Sequence, residues 1–262
     1  MLLIKKKDNY LFQFEPLNRI EGLTHGIASR LGGASLPPFD RLNLSHGVGD
    51  VETAVTANRR RLLELTGGKV HMYTCQNHGT AIEVITREAE GRAAAIQTAQ
   101  MPADALITGV PGIRLMIQTA DCQAVMVVDP QRRVVANIHC GWRGSVAGII
   151  GKTIERMVGQ FGCDPERMTA AIGPSLGPCC AEFVNYKKEI PRRLWLFRVG
   201  SYHFDFWRIS RHQLIAAGFD DARVHTAGIC TRCNPHLFFS YRFAHATGRF
   251  ATLIGMDEVT QA

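Results

Sequence analysis

The chain has 262 residues, of which 46% are hydrophobic and 20% are charged. This composition is close to that of ordinary globular proteins and excludes an intrinsically disordered chain. The 30 Lys and Arg residues exceed the 23 Asp and Glu residues, so the net charge is +7 and favours anionic ligands such as phosphate. Because the basic residues are dispersed and no Cys/His finger or RNA-binding motif accompanies them, we expect no nucleic-acid partner.

The sequence also limits the cellular location. No apolar segment approaches the ~18 residues that a membrane-spanning helix requires, and the N-terminal lysine run is not followed by the apolar region of a signal peptide. Eight cysteines are too sparse for a disulfide scaffold in a chain of this length. We therefore expect a cytoplasmic protein without membrane contact, whose cysteines serve packing, metal binding or nucleophilic chemistry.

In the first third, "YLFQFE" and "GLTHGIAS" predict strands, and the loop "RLGGASLPPFDRLNLSHGVGD" is rich in Gly, Pro, Asn and Asp. The segment "VETAVTANRRRLLEL" predicts a helix that ends at Gly67 and Gly68. Next, "KVHMYTCQNHGTAIEVIT" predicts two strands joined by a turn that carries His78.

Four short apolar runs, "ADALIT", "RLMIQ", "QAVMVVD" and "RVVANIH", predict a central sheet. The segment "SVAGIIGKTIERMVGQFG" predicts an amphipathic helix with Ser145 as its N-cap and Gly162 as its C-cap. A strand "MTAAIG", a helix around "FWRISRHQLIAAGF" and a last strand pair, "VHTAGI" and the run ending in "GRFATLIG", follow. The alternation predicts an α/β (mixed α+β) fold: one layered domain over residues 1–262, with mixed sheets and helices packed outside them.

Three residues at predicted strand ends form a candidate site. Cys122 and His139, together with His78, are the ligand types of a catalytic zinc centre, which takes three protein ligands and keeps one position open. Their spacing matches no short metal motif, so spacing alone favours a packed cysteine and two hydrogen-bonded histidines. The following segment, "CGWRGS", enters a predicted helix N-terminus, where free N–H groups and Arg143 favour an anion.

Several motifs match a known family in order and over most of the chain: "QNHGT", "PADALIT", "TADCQAVMVVD", "IHCGWRGSVAGII", "AIGPSLGPCC" and "CTRCNPHLFFSYRFAHATGRFATLIG". Together they resemble the YfiH-like, laccase-domain family. The resemblance implies α/β/β/α layers and a zinc site formed by His78, Cys122 and His139. It also implies purine nucleoside phosphorylase activity on adenosine, inosine and methylthioadenosine, with adenosine deamination in some members.

The expected chemistry needs an anion site and a proton carrier. For deamination, a zinc-activated water would attack the purine C6. For phosphorolysis, cations would hold the phosphate nucleophile, and our candidates are Arg143, Arg30 and Arg41, with His46 beside them.

Asp121 is a candidate proton shuttle, although its position next to Cys122 also fits a structural carboxylate. His46 and Glu182 are further candidates for the same task.

The chain departs from the family pattern at three positions. Ala181 stands where an aromatic residue is common, Phe243 where a second arginine is common, and Cys140 where alanine is frequent. If the first two positions contact substrate, the preference for purines is in question.

Other interpretations of the same residues stay open. Cys122 activated by His139 also describes a cysteine hydrolase, with an amide of a peptidoglycan precursor as the substrate. A copper polyphenol oxidase is disfavoured because none of the ten histidines forms an HxH pair, although copper can occupy such a site. A non-catalytic metal-binding module is a further alternative, and the sequence indicates no oligomeric state.

Four further cysteines lie in two pairs. Cys230 and Cys233 form "CTRC", and Cys179 and Cys180 lie in a Gly/Pro loop. A structural zinc or a redox dithiol is conceivable, but a single CxxC is a weak signal, so packing is the favoured interpretation.

Overall fold

The structure is a computed structural model, and it describes residues 1–6, 9–87, 96–98 and 102–258. Two large mixed sheets form its centre, with a small third sheet at the side. The seven strands of sheet A, in spatial order, are β1 (Leu2–Lys6), β2 (Asn9–Gln13), β3 (Leu23–Ala28), β15 (Phe250–Met256), β8 (Ile113–Thr119), β4 (Val70–Tyr73) and β6 (Ile96–Thr98). The six strands of sheet B are β14 (Val224–Thr226), β11 (Thr169–Ile172), β9 (Gln123–Asp129), β10 (Val134–Cys140), β7 (Ala105–Thr108) and β5 (Ile82–Ile85). The third sheet pairs β12 (Arg198–Val199) with β13 (His203–Phe204).

Both large sheets combine antiparallel and parallel pairs. In sheet A, β4 is parallel to β8 and β6, whereas the pairs from β1 to β8 are antiparallel. In sheet B, β5 is parallel to β7 and β14 is parallel to β11.

Helices cover the outer faces of the two sheets. The α-helices are α1 (Glu15–Asn18), α2 (Glu52–Thr66), α3 (Trp142–Val146), α4 (Ile149–Phe161), α5 (Tyr186–Glu189) and α6 (Phe206–Ala216). Short 3-10 helices lie at His46–Val48, Arg192–Phe197 and Asp221–Arg223. One apolar core lies between the two sheets. A second lies between sheet A and α2, which contributes Leu62, and a third lies between sheet B and α4. This arrangement confirms the predicted mixed α/β fold in α/β/β/α layers.

Residue alternation along β10 explains how one strand serves two cores. Val135 faces the space between the sheets, whereas Ala136 and Ile138 face the helices of sheet B. Asn137 shares the inner face, and its amide nitrogen donates to the Leu115 and Thr252 carbonyl oxygens of sheet A at 2.9 and 3.1 Å. His139 follows on the same face, at the end of the space between the sheets.

The turn predicted around "QNHG" joins two sheets, and the predicted last strand pair is wrong as a pair. The strands around the "QNHG" turn exist, but β4 belongs to sheet A and β5 to sheet B, so the turn crosses between sheets. Likewise β14 lies in sheet B and β15 in sheet A, and no residue of "FFSYRF" is in a strand. Apolar runs predict strands but carry no information about which sheet receives them.

The helix predicted from Ser145 begins later. A short helix, α3, ends at Val146, and Gly148 with φ of 79° is the N-cap of α4, so the predicted N-cap Ser145 is wrong. Gly162, with φ of 63°, is the C-cap as predicted.

Among the described residues, no helix has the length and apolarity that crossing a bilayer requires. The extent of the domain, residues 1–262, stays a prediction.

Candidate metal centre and its cavity

The structure brings His78, Cys122 and His139 together at one end of the space between the sheets. His78 lies on the crossover from β4 to β5, and Cys122 on the crossover from β8 to β9. His139 lies near the end of β10 and is buried. Residues distant in sequence meet here because both crossovers and the end of β10 lie at the same edge of the two sheets.

The three side chains have the separation of metal ligands. Their donor atoms all lie within 4.8 Å of one another, and the His78 Nε2 and Cys122 Sγ atoms are 3.8 Å apart. Zinc–sulfur and zinc–nitrogen bonds of about 2.3 and about 2.0 Å place tetrahedral neighbours about 3.6 Å apart. The rings of His78 and His139 meet edge to face at 84°. The donor set and its spacing therefore fit a zinc ion with an open fourth position.

Asp104, which is not among the predicted site residues, orients two of these ligands. Its fully buried carboxylate accepts a hydrogen bond from His139 Nδ1 at 2.7 Å, which leaves His139 Nε2 to face the site. The same carboxylate accepts the backbone N–H groups of His78 at 2.9 Å and Gly79 at 2.7 Å. A carboxylate behind a ligand histidine fixes its tautomer and ring orientation.

The electrostatics of the site favour a thiolate. Burial raises the pKa of Cys122, but hydrogen bonds from His139 and His78 outweigh burial and bring this pKa from 9.0 to about 6. Burial lowers the pKa of His139, but hydrogen bonds with Asp104 and Cys122 reverse that effect and raise it to about 9. The pKa of Asp104 is lowered, because the donors from His139 and the turn outweigh burial. Cys122 is thus prepared as a thiolate, the form in which cysteine binds metal.

The backbone of the His78 turn is specialised. His78 has φ of 62°, in the left-handed region that non-glycine residues seldom adopt. Gly141 lies against this turn, and a Cβ atom there would be 2.8 Å from His78 Cδ2. A side chain at position 141 would therefore displace the imidazole of His78.

The three ligand residues line a cavity of about 780 Å³. Its wall includes the aromatic side chains Trp142, Phe183, Phe206 and Tyr241. Phe183 contacts Phe206 and Trp142 with ring centroids 5.3 and 6.0 Å apart. A cavity of this size with aromatic walls is typical of a small-molecule site.

Three arginines that are not among the predicted phosphate ligands also line this cavity: Arg59, Arg242 and Arg249. Arg59 is 7% exposed, stacks on Tyr73 with its guanidinium carbon 3.8 Å from the ring centroid, and has no carboxylate partner among the described residues. Half-buried Arg249 donates to the Thr247 and Gly248 carbonyl oxygens, each at 3.0 Å. Burial lowers the pKa of both Arg59 and Arg249. Cations buried without a counter-ion favour an anionic ligand.

The predicted phosphate-binding arginines lie elsewhere. Arg143 is exposed, stacks on Trp142 with 4.5 Å between guanidinium carbon and ring centroid, and does not line the cavity. Arg30 and Arg41 line a separate pocket. Arg30 donates to the Asp40 and Pro235 carbonyl oxygens, so its guanidinium already has partners. Of the four phosphate candidates, only His46 lines the cavity, where burial and nearby Arg59 lower its pKa.

The two carboxylates considered as proton shuttles differ in position. Asp121 lines the cavity, but its oxygens accept from the Thr231 hydroxyl at 2.7 Å and the Arg242 backbone N–H at 2.6 Å. These bonds join three loops, which fits a structural carboxylate. Glu182 is exposed and does not line the cavity.

The departures from the family pattern have different surroundings. Ala181 is buried in the cavity wall, where the nearby Phe183 supplies an aromatic ring. Phe243 is 61% exposed and does not line the cavity. Cys140 is buried in the wall, and burial raises its pKa.

Comparison with known proteins identifies the family. The model of the family described as multi-copper polyphenol oxidoreductase laccase matches residues 24–257. The chain belongs to this laccase family. The predicted YfiH-like resemblance is therefore confirmed.

Members of the laccase family similar to this chain include two named purine nucleoside phosphorylases. YlmD of Geobacillus stearothermophilus is 33% identical over 250 residues, which cover 90% of this chain and 91% of the relative. A relative from Xylella fastidiosa is 34% identical over 233 residues, covering 84% of this chain and 87% of the relative.

Solved structures of the laccase family share the whole fold. The crystal structure of YlmD from Geobacillus stearothermophilus aligns with a TM-score of 0.85 at 30% identity, covering 97% of this chain and 98% of that chain. The YfiH protein of Bacillus licheniformis aligns with a TM-score of 0.83 at 27% identity, covering 96% of this chain and 97% of that chain.

Proposed function

We propose that this protein is a zinc-dependent purine nucleoside phosphorylase that cleaves adenosine, inosine and methylthioadenosine with phosphate. The observation that carries the proposal is the convergence of His78, Cys122 and His139 in a cavity that also contains buried Arg59, which has no carboxylate partner in the described part of the chain. Relatives over most of the chain bear the name of this activity. A cytoplasmic location is part of the same proposal.

In this proposal, His78, Cys122 and His139 hold Zn²⁺. The bound metal would supply Lewis-acid chemistry, polarising a substrate atom or activating a water molecule. Asp104 fixes the His139 tautomer, and the low pKa of Cys122 supplies the thiolate ligand.

The arginines would hold the phosphate nucleophile. The Nε atom of Arg59 donates to the Leu44 carbonyl oxygen at 2.8 Å. Its two terminal nitrogens can therefore donate to two oxygens of a phosphate. Arg249 and Arg242 add charge at the same cavity. A phosphate oxygen then bonds to the ribose C1′, the C1′–N9 bond breaks, and the purine leaves and gains a proton.

The aromatic wall would receive the purine. Phe183 and its neighbours Trp142 and Phe206 present ring faces and edges that stack on a heterocycle and exclude water. The family commonly has an aromatic residue at the position of Ala181. In this chain, the ring of Phe183, two residues further on, would take its place.

The test measures metal content and turnover on the same purified sample. With adenosine and phosphate, we expect wild type to form adenine and ribose 1-phosphate, and Cys122→Ala to lose one zinc per chain together with this activity. Adenosine without phosphate tests deamination, because it would then release ammonia and form inosine. Zinc retained without nucleoside turnover in wild type would reject the proposed substrates.

A cysteine hydrolase is the second candidate, because Cys122, His139 and Asp104 also form a thiolate–imidazole–carboxylate series. Chelation separates the two functions, since a metal is required in the first and has no part in the second, whereas His78 also helps to lower the pKa of Cys122. Loss of nucleoside phosphorolysis after chelation, with recovery when zinc is added back, supports the phosphorylase. Amide hydrolysis by the metal-free protein, abolished by alkylation of Cys122, would support the hydrolase.

A further inference from the structure

Four cysteines outside the cavity form a second cluster. Cys179 and Cys180 lie in the loop after β11, and Cys230 and Cys233 lie in the loop after β14. Their sulfur atoms all lie within 4.8 Å of one another. The loops are aligned by a parallel bridge between Ser175 and Cys230 and by a hydrogen bond from the Thr231 N–H to the Ser175 carbonyl at 3.0 Å.

The sulfur distances match a tetrathiolate metal site. Cys233 Sγ is 3.7 Å from Cys179 Sγ and 3.6 Å from Cys180 Sγ. A disulfide requires about 2.05 Å, whereas zinc–sulfur bonds of about 2.3 Å place tetrahedral sulfurs about 3.8 Å apart. All four cysteines are free thiols in the structure.

The surroundings provide donors to the sulfurs. The backbone N–H groups of Gly177 and Cys233 donate to Cys230, and Arg232 Nη1 donates to Cys180 Sγ at 3.6 Å. Gly177 permits the close packing of the loops, because a Cβ atom there would be 3.1 Å from Cys230 Cβ. Four thiolates around Zn²⁺ carry a net charge of −2, which these donors and Arg232 offset.

We propose that Cys179, Cys180, Cys230 and Cys233 bind a second Zn²⁺ with a structural role. Four protein ligands leave no open position, which distinguishes a structural zinc from a catalytic one. The CxxC spacing of Cys230 and Cys233 is that of known zinc-binding turns.

This metal would stabilise one side of the cavity wall. The loop of Cys179 and Cys180 continues directly into Ala181 and Phe183, which line the cavity. The segment after Cys233 leads to Arg242, whose Nη1 atom donates to the Cys180 carbonyl oxygen at 3.3 Å. The zinc therefore holds together two loops whose later residues form one side of the cavity. The proposal does not depend on which substrate the cavity binds.

The test is zinc content by mass spectrometry of protein purified under reducing conditions. We expect two zinc ions per chain in wild type and one in the His78→Ala/Cys122→Ala variant. We also expect one in Cys230→Ser/Cys233→Ser, and two in the control Cys75→Ser, whose exposed thiol belongs to neither cluster.

X-ray absorption identifies the ligands without the cysteine double variant, which is useful if that variant does not fold. In His78→Ala/Cys122→Ala, the remaining zinc should have four sulfur neighbours at about 2.3 Å. No zinc in this folded variant, iron in place of zinc, or four thiols that react only after reduction would each overturn the proposal.

Discussion

At the scale of single residues, the hydrogen bonds of one carboxylate organise the candidate metal centre. Asp104 accepts from the His139 ring and from two backbone N–H groups of the His78 turn. It therefore couples the orientation of one ligand ring to the position of another ligand's backbone. Removing the charge of Asp104 would therefore change the orientation of the His139 ring and the position of the His78 turn, while all three metal-ligand candidates stay in place.

We expect Asp104→Asn to weaken zinc binding by about 10–100-fold, the usual effect of losing an outer partner of a ligand. The physical reason is that Asp104 accepts hydrogen bonds from N–H groups on both sides. The NH₂ group of asparagine would instead place a donor against one of these N–H donors. Competition with a chromophoric chelator measures the affinity. Asp221→Asn, at a largely exposed carboxylate, is the control and should bind zinc as wild type does. Equal affinity for Asp104→Asn would show that Asp104 does not orient the ligands.

The pKa of Cys122 gives a pH prediction for the metal-free protein. Its thiolate forms above about pH 6, since hydrogen bonds from the two histidines outweigh burial. Alkylation of Cys122 by iodoacetamide, followed by peptide mass spectrometry, should therefore reach its maximal rate by neutral pH and fall about tenfold at one pH unit below the pKa. Zinc should protect the thiol across this range. A midpoint near pH 9 would contradict the hydrogen-bonded thiolate.

The metal-ligand candidates were predictable as a group, whereas their supporting residues were not. His78, Cys122 and His139 each stand at a visible strand end, within motifs that resemble a family. Asp104 lies in the quoted motif "PADALIT", and its signal was an acidic residue at the start of an apolar strand. Arg59 gave no signal, because its sequence context is that of an ordinary helical surface, and only the packing of α2 on sheet A brings it to the cavity.

At the scale of elements, α4 and β10 illustrate what hydrophobic patterning determines. The periodicity of α4 predicted its buried face, and Ile149, Ile150, Ile154 and Met157 are buried. Val158, an apolar residue next to Met157 on the same helix, is 39% exposed. The face of α4 was thus predictable, but its start was not, because the left-handed conformation of Gly148 separates it from α3.

Ile154→Ala should lower the free energy of unfolding by about 3 kcal/mol, because it leaves a cavity between α4 and sheet B. Val158→Ala on the same helix should change it by less than about 1 kcal/mol, since Val158 is partly exposed. Urea denaturation of both variants measures the difference. Equal losses would mean that this helix face does not form the core.

The assignment of strands to sheets required the structure. The spacing of β8 and β9 resembles a hairpin, yet one strand belongs to each sheet. Turn residues indicate that the chain reverses, but the docking of the two sheets decides where it goes. Asn137 is a local sign of this docking, because its side chain hydrogen-bonds across the space between the sheets.

At the scale of the whole molecule, the net charge of +7 acts on ligands through its distribution. Most arginines are exposed or have partners, whereas Arg59 combines burial with the absence of a carboxylate partner within the described ranges. The overall charge predicted an anionic ligand, but the burial of a few cations indicates where that ligand would bind.

Phosphate should raise the melting temperature of wild type, because a ligand at 100 times its Kd stabilises the fold by about 2.7 kcal/mol. Arg59→Met should lose this shift while keeping the melting temperature of the free protein, since methionine fills apolar space without a buried charge. Arg143→Met, at an exposed arginine outside the cavity, should retain the shift. Loss of the shift only in Arg143→Met would place phosphate at the α3 helix instead.

The crossovers that carry His78 and Cys122 give the candidate metal centre a part in the order of folding. Each crossover leaves sheet A and enters sheet B, so the three ligands come together only after the two layers have docked. Zinc would then bind only after the two sheets have docked, and the bound zinc would slow their separation. Amide hydrogen exchange in β9 and β10 should accordingly be slower with zinc than without it, whereas exchange in β1, at the far edge of sheet A, should stay the same.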